Sequence, residues 1–169
     1  MVLNGSVNAE VAEFVSSYDC KTQCLPGKEI LSCQRLELEE DLGFVGSITK
    51  VDTAPIQDAL ENGLMPIISS TASDETGQCY NVNADTVAAE VAISLGARRL
   101  VYLSDVPGLL RNPQDSNSLL SSLPVDQVDS LKNEGVIAKG MLPKVNSAVD
   151  ALNSGVNRVH FIDGRLPHS

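Results

Sequence analysis

Tyr80-Asn-Val-Asn-Ala-Asp-Thr-Val-Ala-Ala-Glu-Val-Ala-Ile-Ser-Leu95 changes character halfway along. Its first half carries polar side chains at every second position, Asn81, Asn83 and Asp85, which an extended segment would turn to one side. Its second half is alanine-rich and aliphatic, and Gly96 follows where a helix would end. Asp85 stands at the switch and is expected to cap the helix, a contribution of about 1 kcal/mol. Thr86, Glu90, Ser94 and Arg98 leave only one narrow polar stripe, so the helix is expected to be largely buried. A buried helix that starts among amides and a carboxylate has the makings of a binding-site floor.

The segments on either side set the fold class. Residues 64–70 form a short apolar run that ends in Ser69-Ser70, and residues 99–103 form another that ends in Ser104-Asp105. With the helix between them, this alternation implies a parallel sheet with helices on its faces. In such sheets ligands collect beyond the carboxyl ends of the strands, where both polar exits lie.

Upstream, residues 9–17 read as a helix with Val11, Phe14 and Val15 on one face. Residues 22–25 read as a strand stopped by Pro26-Gly27, and residues 30–38 as a weakly alternating strand. Residues 43–51 suggest a hairpin or bend. A helix follows with Thr53 as its cap, Pro55 in the first turn, Ile56, Ala59 and Leu60 on its apolar face and Asn62-Gly63 as its stop. Downstream, residues 124–134 and 142–153 read as amphipathic helices stopped by Gly135 and Gly155, and residues 158–162 as a last strand.

The chain has 169 residues, enough for one domain with a real core. Hydrophobic content is 43% with no tryptophan, so the core must come from Val, Ile, Leu and Ala. The net charge of −10 argues against a nucleic-acid partner but leaves room for a small anion held by local cations. No signal peptide and no membrane-spanning run is visible, so a cytoplasmic protein is expected, with Cys20, Cys24, Cys33 and Cys79 as reduced structural thiols. The twelve glycines form no Gly-Gly and no Gly-x-Gly, which excludes a Walker loop and a dinucleotide fingerprint. No metal-ligand spacing and no Ser/His/Asp order stands out, and His160 reads as a strand residue rather than a base.

Lys144, in Gly140-Met-Leu-Pro-Lys144, falls in a first helical turn because Pro143 is tolerated only there. Its charge would add to the positive end of the helix dipole and suit phosphate, although a solvated surface lysine has the same pattern. Asp85 is equally readable as a plain cap, Asn81 and Asn83 as loop-satisfying amides, and Ser104-Asp105 as an ordinary strand exit.

Five motifs together resemble the acetylglutamate kinases, of the amino acid kinase family, in the family's order. They are Leu42-Gly-Phe-Val-Gly46, Asn81-Val-Asn-Ala-Asp85, Ser104-Asp-Val-Pro-Gly-Leu-Leu110, Gly140-Met-Leu-Pro-Lys144 and Ile162-Asp-Gly-Arg165. The resemblance implies a three-layer α/β/α fold with a mostly parallel central sheet. It makes residues 1–169 a single α/β domain equivalent to the central and C-terminal, ATP-binding part of those enzymes. It implies ATP-dependent phosphorylation of the γ-carboxylate of N-acetyl-L-glutamate, in arginine biosynthesis. Asn81 would hold the substrate's α-carboxylate, Asp85 would orient active-site lysines, and Lys144 would stabilise charge on the transferring phosphoryl group. Asp105, Val106, Pro107, Gly108, Leu109 and Leu110, with Val136, Ile137 and Ala138, would line the ATP pocket. Mg²⁺ would be carried by the nucleotide rather than by a protein metal site. The substrate carboxylate is itself the nucleophile, so phosphoryl transfer here needs positioning and positive charge rather than a histidine base.

The family's N-terminal half carries a Lys-x-Gly-Gly phosphate loop and a substrate arginine, and no matching motif occurs in these residues. The resemblance therefore implies a fragment or a truncated relative, not active alone and prone to self-associate through exposed apolar faces. A homo-oligomer is expected, a dimer or, in arginine-inhibited members, a hexamer. Asp163-Gly-Arg165 and His168-Ser169 resemble that subgroup. Two other readings compete: another family member acting on a carboxylate or phosphate, and a non-catalytic nucleotide- or effector-binding module.

Overall fold

A computed structural model describes residues 2–37, 42–112, 114–137 and 139–167. The expected end of the second strand at Leu38, the expected pocket residue Ala138 and the His168-Ser169 pair lie outside them. The chain divides into two compact units, Met1–Ser94 and Leu95–Ser169.

The first unit opens with a π-helical turn, Leu3–Val7, that runs into helix α1, Asn8–Ser16. Most of the expected apolar face of α1 is turned outward: Val11 and Phe14 are exposed, Phe14 to 65%, and Val15 is half-buried, while Asn8 and Ala12 are buried. The small face is chosen because the helix backbone approaches strand β1, Thr22–Leu25, closely: the Thr22 hydroxyl donates to the Ala12 carbonyl at 3.3 Å. A four-residue helix α2, Gly27–Ile30, follows the Pro26-Gly27 stop and was not legible as a helix at that length.

Strands β2, Leu31–Arg35, and β3, Gly46–Val51, form the antiparallel hairpin expected near Gly43 and Gly46. Helix α3, Ala54–Glu61, begins and ends as read, but Thr53 makes no side-chain capping bond; Asp52 Oδ1 accepts from the Ala54 N–H at 3.1 Å instead. Ile56 and Ala59 are fully buried and Leu60 is exposed, so the inward face is narrower than its apolar residues suggest.

Strand β4, Met65–Ile68, pairs with β1 in parallel, in register from Thr22 opposite Met65 to Leu25 opposite Ile68. Strands β5, Thr71–Ser73, and β6, Cys79–Asn81, complete a mixed sheet in the order β3-β2-β5-β6. Helix α4, Ala84–Ser94, closes the unit. Its residues between the two ends are all buried or half-buried, as its alanine-rich sequence implied.

In the second unit, β7, Arg99–Ser104, and β8, Arg158–Asp163, pair in parallel along their whole length. Helices α5, Val128–Asn133, and α6, Leu142–Asn153, lie in the crossover between them. The expected helix over residues 124–134 starts as a 3₁₀ turn, Val125–Gln127, before α5 proper. Val128, Leu131, Ile137 and Val145 form the buried centre, with Leu109, Val136, Val149 and Phe161 packed against it. On β7 the alternation is clean: Leu100 and Tyr102 are buried, whereas Val101 and Leu103 on the other face are exposed, Leu103 to 70%. His160 stands exposed on β8.

The result is a mixed α/β fold of parallel strand pairs with helices. Among the described residues no helix is long and apolar enough to cross a membrane.

Candidate functional site

In the first unit the site residues sit on a strand-to-helix junction. Asn81 ends β6 and is exposed, its N–H donating to the Phe44 carbonyl at 2.8 Å. Val82, the next residue, is buried and its N–H reaches the Ser70 carbonyl at 3.0 Å. The chain then turns, so the period-two reading holds only as far as Asn81. Asn83, not Asp85, caps α4: its Oδ1 accepts from the Asp85 N–H at 2.9 Å and the Thr86 N–H at 3.2 Å. Helix α4 begins at Ala84, which puts Asn83 in the cap position and Asp85 inside the first turn. There the half-buried Asp85 carboxylate lies at the positive end of the helix dipole.

The β5–β6 hairpin that delivers Asn81 is tied by Asp74. Asp74 Oδ1 accepts from the Thr76 hydroxyl at 2.7 Å and from the Thr76 and Gln78 N–H groups at 2.9 and 3.0 Å. Its Oδ2 accepts from the Tyr80 hydroxyl at 3.1 Å. The Thr76 hydroxyl bond above all holds the Asp74 carboxyl below its usual pKa. Burial, and then the Asp74 bond, push the Tyr80 phenol up. An Asp two residues before a Thr, with Gly77 to close the turn, was the available signal.

In the second unit β7 exits through Ser104 and Asp105, and Asp105 is exposed. Gly108 has φ +130, a value a side chain rarely tolerates, and this turns the loop back so that the Leu120 N–H meets the Leu109 carbonyl at 2.8 Å. Of the expected pocket residues, Leu109, Val136 and Ile137 are gathered into one apolar cluster, while Asp105 and Pro107 remain at the surface. Pro107, Gly108 and Leu109 also line a cleft of about 740 Å³ with Val145, Val149 and Phe161; Lys144, Val136 and Ile137 are not part of its wall.

Lys144 occupies the first turn of α6, half-buried, with Pro143 beside it as the sequence required. Its Nζ lies 5.7 Å from the centroid of the Tyr102 ring. The β7 alternation that places Tyr102 on the buried face with Leu100 was legible; its meeting with Lys144 was not. A lysine at the start of a twelve-residue helix, at the carboxyl ends of two parallel strands, fits a nucleotide polyphosphate. Among the described residues no three His, Cys, Asp or Glu side chains lie together as metal ligands.

Asp163 ends β8, and its exit is fastened to that of β7 by the Gly164 N–H, which reaches the Ser104 carbonyl at 2.9 Å. The buried Asp163 carboxylate accepts Arg165 Nε at 2.9 Å, Arg165 Nη2 at 2.8 Å and the Arg165 N–H at 3.0 Å. The Arg165 side-chain bonds, then its backbone bond, hold the Asp163 carboxyl at about 2, below its ordinary 3.8. The folded pKa lies below the unfolded one, so this stabilisation is complete above about pH 4 and is lost as the pH falls towards 2. Asp163→Asn should therefore flatten the acid limb of a melting-temperature profile recorded by calorimetry over that window. An unchanged limb would mean that the pair does not govern it.

The model of the amino acid kinase family matches residues 1–163. Among curated relatives, the chain is 44% identical over 171 residues to the acetylglutamate kinase of Syntrophomonas wolfei subsp. wolfei, covering 100% of this chain and 60% of that protein. It is 43% identical over 170 residues to the acetylglutamate kinase of Synechococcus sp., covering 100% of this chain and 54% of that protein. The chain thus spans little more than half the length of these relatives. Among solved structures, smu.665 from Streptococcus mutans UA159 superposes with a TM-score of 0.87 at 29% identity, covering 96% of this chain and 65% of that one. The matched span runs through both units, from the N-terminal helix to the last strand, and the chain belongs to the amino acid kinase family.

Proposed function

We propose that this chain carries the nucleotide side, and part of the acceptor side, of an acetylglutamate kinase-type site. The reaction is transfer of the γ-phosphoryl group of ATP to the γ-carboxylate of N-acetyl-L-glutamate, within arginine biosynthesis. The observation that carries this reading is Lys144 in the first turn of α6, with its ammonium held above the buried ring of Tyr102, two residues before β7 ends. Identity of 44% to an acetylglutamate kinase across the whole chain supports the choice of acceptor.

In this reading the Lys144 ammonium meets the oxygens of the transferring phosphoryl group, where charge accumulates as the bond to the leaving oxygen loosens. The exposed Asn81 amide takes the substrate's α-carboxylate, and the Asp85 carboxylate, at the start of α4, orients lysine side chains by ion pairing. Asp105, Val106, Pro107, Gly108, Leu109 and Leu110, with Val136, Ile137 and Ala138, contact the nucleotide. Mg²⁺ arrives on the nucleotide's phosphates and supplies further charge neutralisation there. Lacking any Gly-Gly or Gly-x-Gly, the chain's own phosphate contacts fall to the helix start and Lys144.

The test is calorimetric titration with MgATP, followed by ADP release on addition of N-acetyl-L-glutamate or unacetylated L-glutamate. Nucleotide binding with release only for the acetylated acceptor is expected of the competent protein. Binding without release supports a nucleotide-binding module instead, and no binding at millimolar MgATP removes the site.

Self-association is part of the same reading. Leu3, Val7, Val11, Phe14 and Tyr18, spaced by three and four, are all exposed along the N-terminal helical segment. A homo-oligomer that buries this stripe is expected at micromolar concentration by light scattering, and a monodisperse monomer would contradict it.

A further inference from the structure

We infer that Tyr102 is a positioning residue for Lys144, an inference that rests on the nucleotide reading of the site given above. The chain has only three tyrosines and three phenylalanines and no tryptophan, yet two of these six rings are stacked directly beneath this lysine. Tyr102 is 4% exposed, and its ring lies against that of Phe161 at 5.4 Å between centroids and 15° between planes. The two residues are register partners on β7 and β8, so the parallel pairing itself sets the stack. With one face covered by Phe161, a ring has one face left to offer, and Lys144 Nζ stands 5.7 Å from its centroid.

The physical consequence concerns the lysine stem. Four rotatable carbons give a lysine many positions, and a catalytic ammonium is useful in only a few of them. The negative face of an aromatic ring attracts an ammonium by about 0.5–2 kcal/mol, depending on desolvation. That is enough to bias the rotamers. It is weaker than a charge-assisted bond to a phosphate oxygen, so the ring holds the ammonium near the strand exits without competing for it once nucleotide arrives. Tyr102, at 4% exposure, gives the bias a fixed origin, because a ring so closely packed has little room to turn away.

The experiment reads both the contact and its effect. The nucleotide-free protein is prepared with ¹³C-labelled lysine, and the Lys144 Cε protons are assigned by their loss in Lys144→Ala. They are expected upfield of every other lysine in the chain, shifted by the Tyr102 ring current. Tyr102→Phe keeps the ring and should keep most of the shift and the MgATP affinity. Tyr102→Leu should abolish the shift and weaken MgATP binding about two- to thirtyfold, the range a lost cation–π contact supports. In the Lys144→Ala background the same Tyr102→Leu change should have little further effect on affinity. A wild type in which no lysine Cε signal stands upfield of the others overturns the inference whether or not any variant folds. So does a Tyr102→Leu protein that binds MgATP like the wild type while Lys144→Ala binds it weakly. If Lys144→Ala itself leaves affinity untouched, the nucleotide reading fails, and an intact ring-current shift identifies that as the cause.

Discussion

In protein that turns over MgATP and N-acetyl-L-glutamate, Lys144→Ala is expected to lower kcat by on the order of 10²–10³, the usual cost of removing one preorganised electrostatic donor. The argument starts from position. Pro143 confines the segment to a first helical turn, so the Lys144 ammonium stands near the positive end of α6. Half-buried, it is screened less than a solvated lysine would be. The ammonium already meets the phosphate oxygens of bound MgATP and meets more charge as the phosphoryl group leaves ADP, so the loss should fall on kcat and on MgATP affinity together. Lys144 is only half-buried, so its truncation removes little packing and the melting temperature should stay within a few degrees. ADP release under saturating substrates measures the effect. A rate near that of the wild type would remove Lys144 from the mechanism, and a collapse in melting temperature would make it a structural residue instead.

Gly27→Ala is expected to cost about 3 kcal/mol, at the upper end for overpacking, and to lower the melting temperature by roughly 10 °C. A Cβ at Gly27 would fall on the backbone carbonyl oxygens of Ser69 and Thr71, far inside van der Waals contact. Carbonyl oxygens cannot swing aside as a side-chain tip can, so the bend between β4 and β5 would have to move. That bend is held by polar bonds that the movement would break. The Gly27 N–H reaches Ser69 Oγ at 2.9 Å, the Lys28 N–H reaches Thr71 Oγ1 at 3.2 Å, and both hydroxyls donate to the Asn4 amide oxygen. Gly5→Ala is the control, because nothing lies within 4 Å of a Cβ there and the change should stay within about 0.5 kcal/mol. If Gly27→Ala melts no earlier than Gly5→Ala, the close approach is wrong.

Gly27 also marks where sequence reading stops. Pro26-Gly27 was readable as a strand stop, and a stop is what it is. The reason glycine is needed there is a backbone 42 residues away, which no local pattern can report. Asn83 and Asp85 show the same limit at short range. Both are good caps, and a two-residue difference in where α4 begins decides which of them bonds the helix N–H groups.

What the residues determined by themselves is local. Apolar periodicity and the glycine stops placed α6 at residues 142–153 and its end before Gly155, short apolar runs placed β4 and β7, and the Pro26-Gly27 stop placed the end of β1. The alanine-rich run told that α4 would be covered, because a helix with one narrow polar stripe has little to offer water. Tertiary structure decided the rest. It chose the small face of α1 over Val11 and Phe14, because close approach to β1 admits Ala12 and not a phenylalanine. It joined β2, β3, β5 and β6 into a mixed sheet, since strand pairing depends on where distant segments meet rather than on their own alternation. It also set Lys144 over Tyr102. The helix that carries the one and the strand that carries the other were each legible alone, but their meeting arises only when the crossover folds α6 back onto β7 and β8.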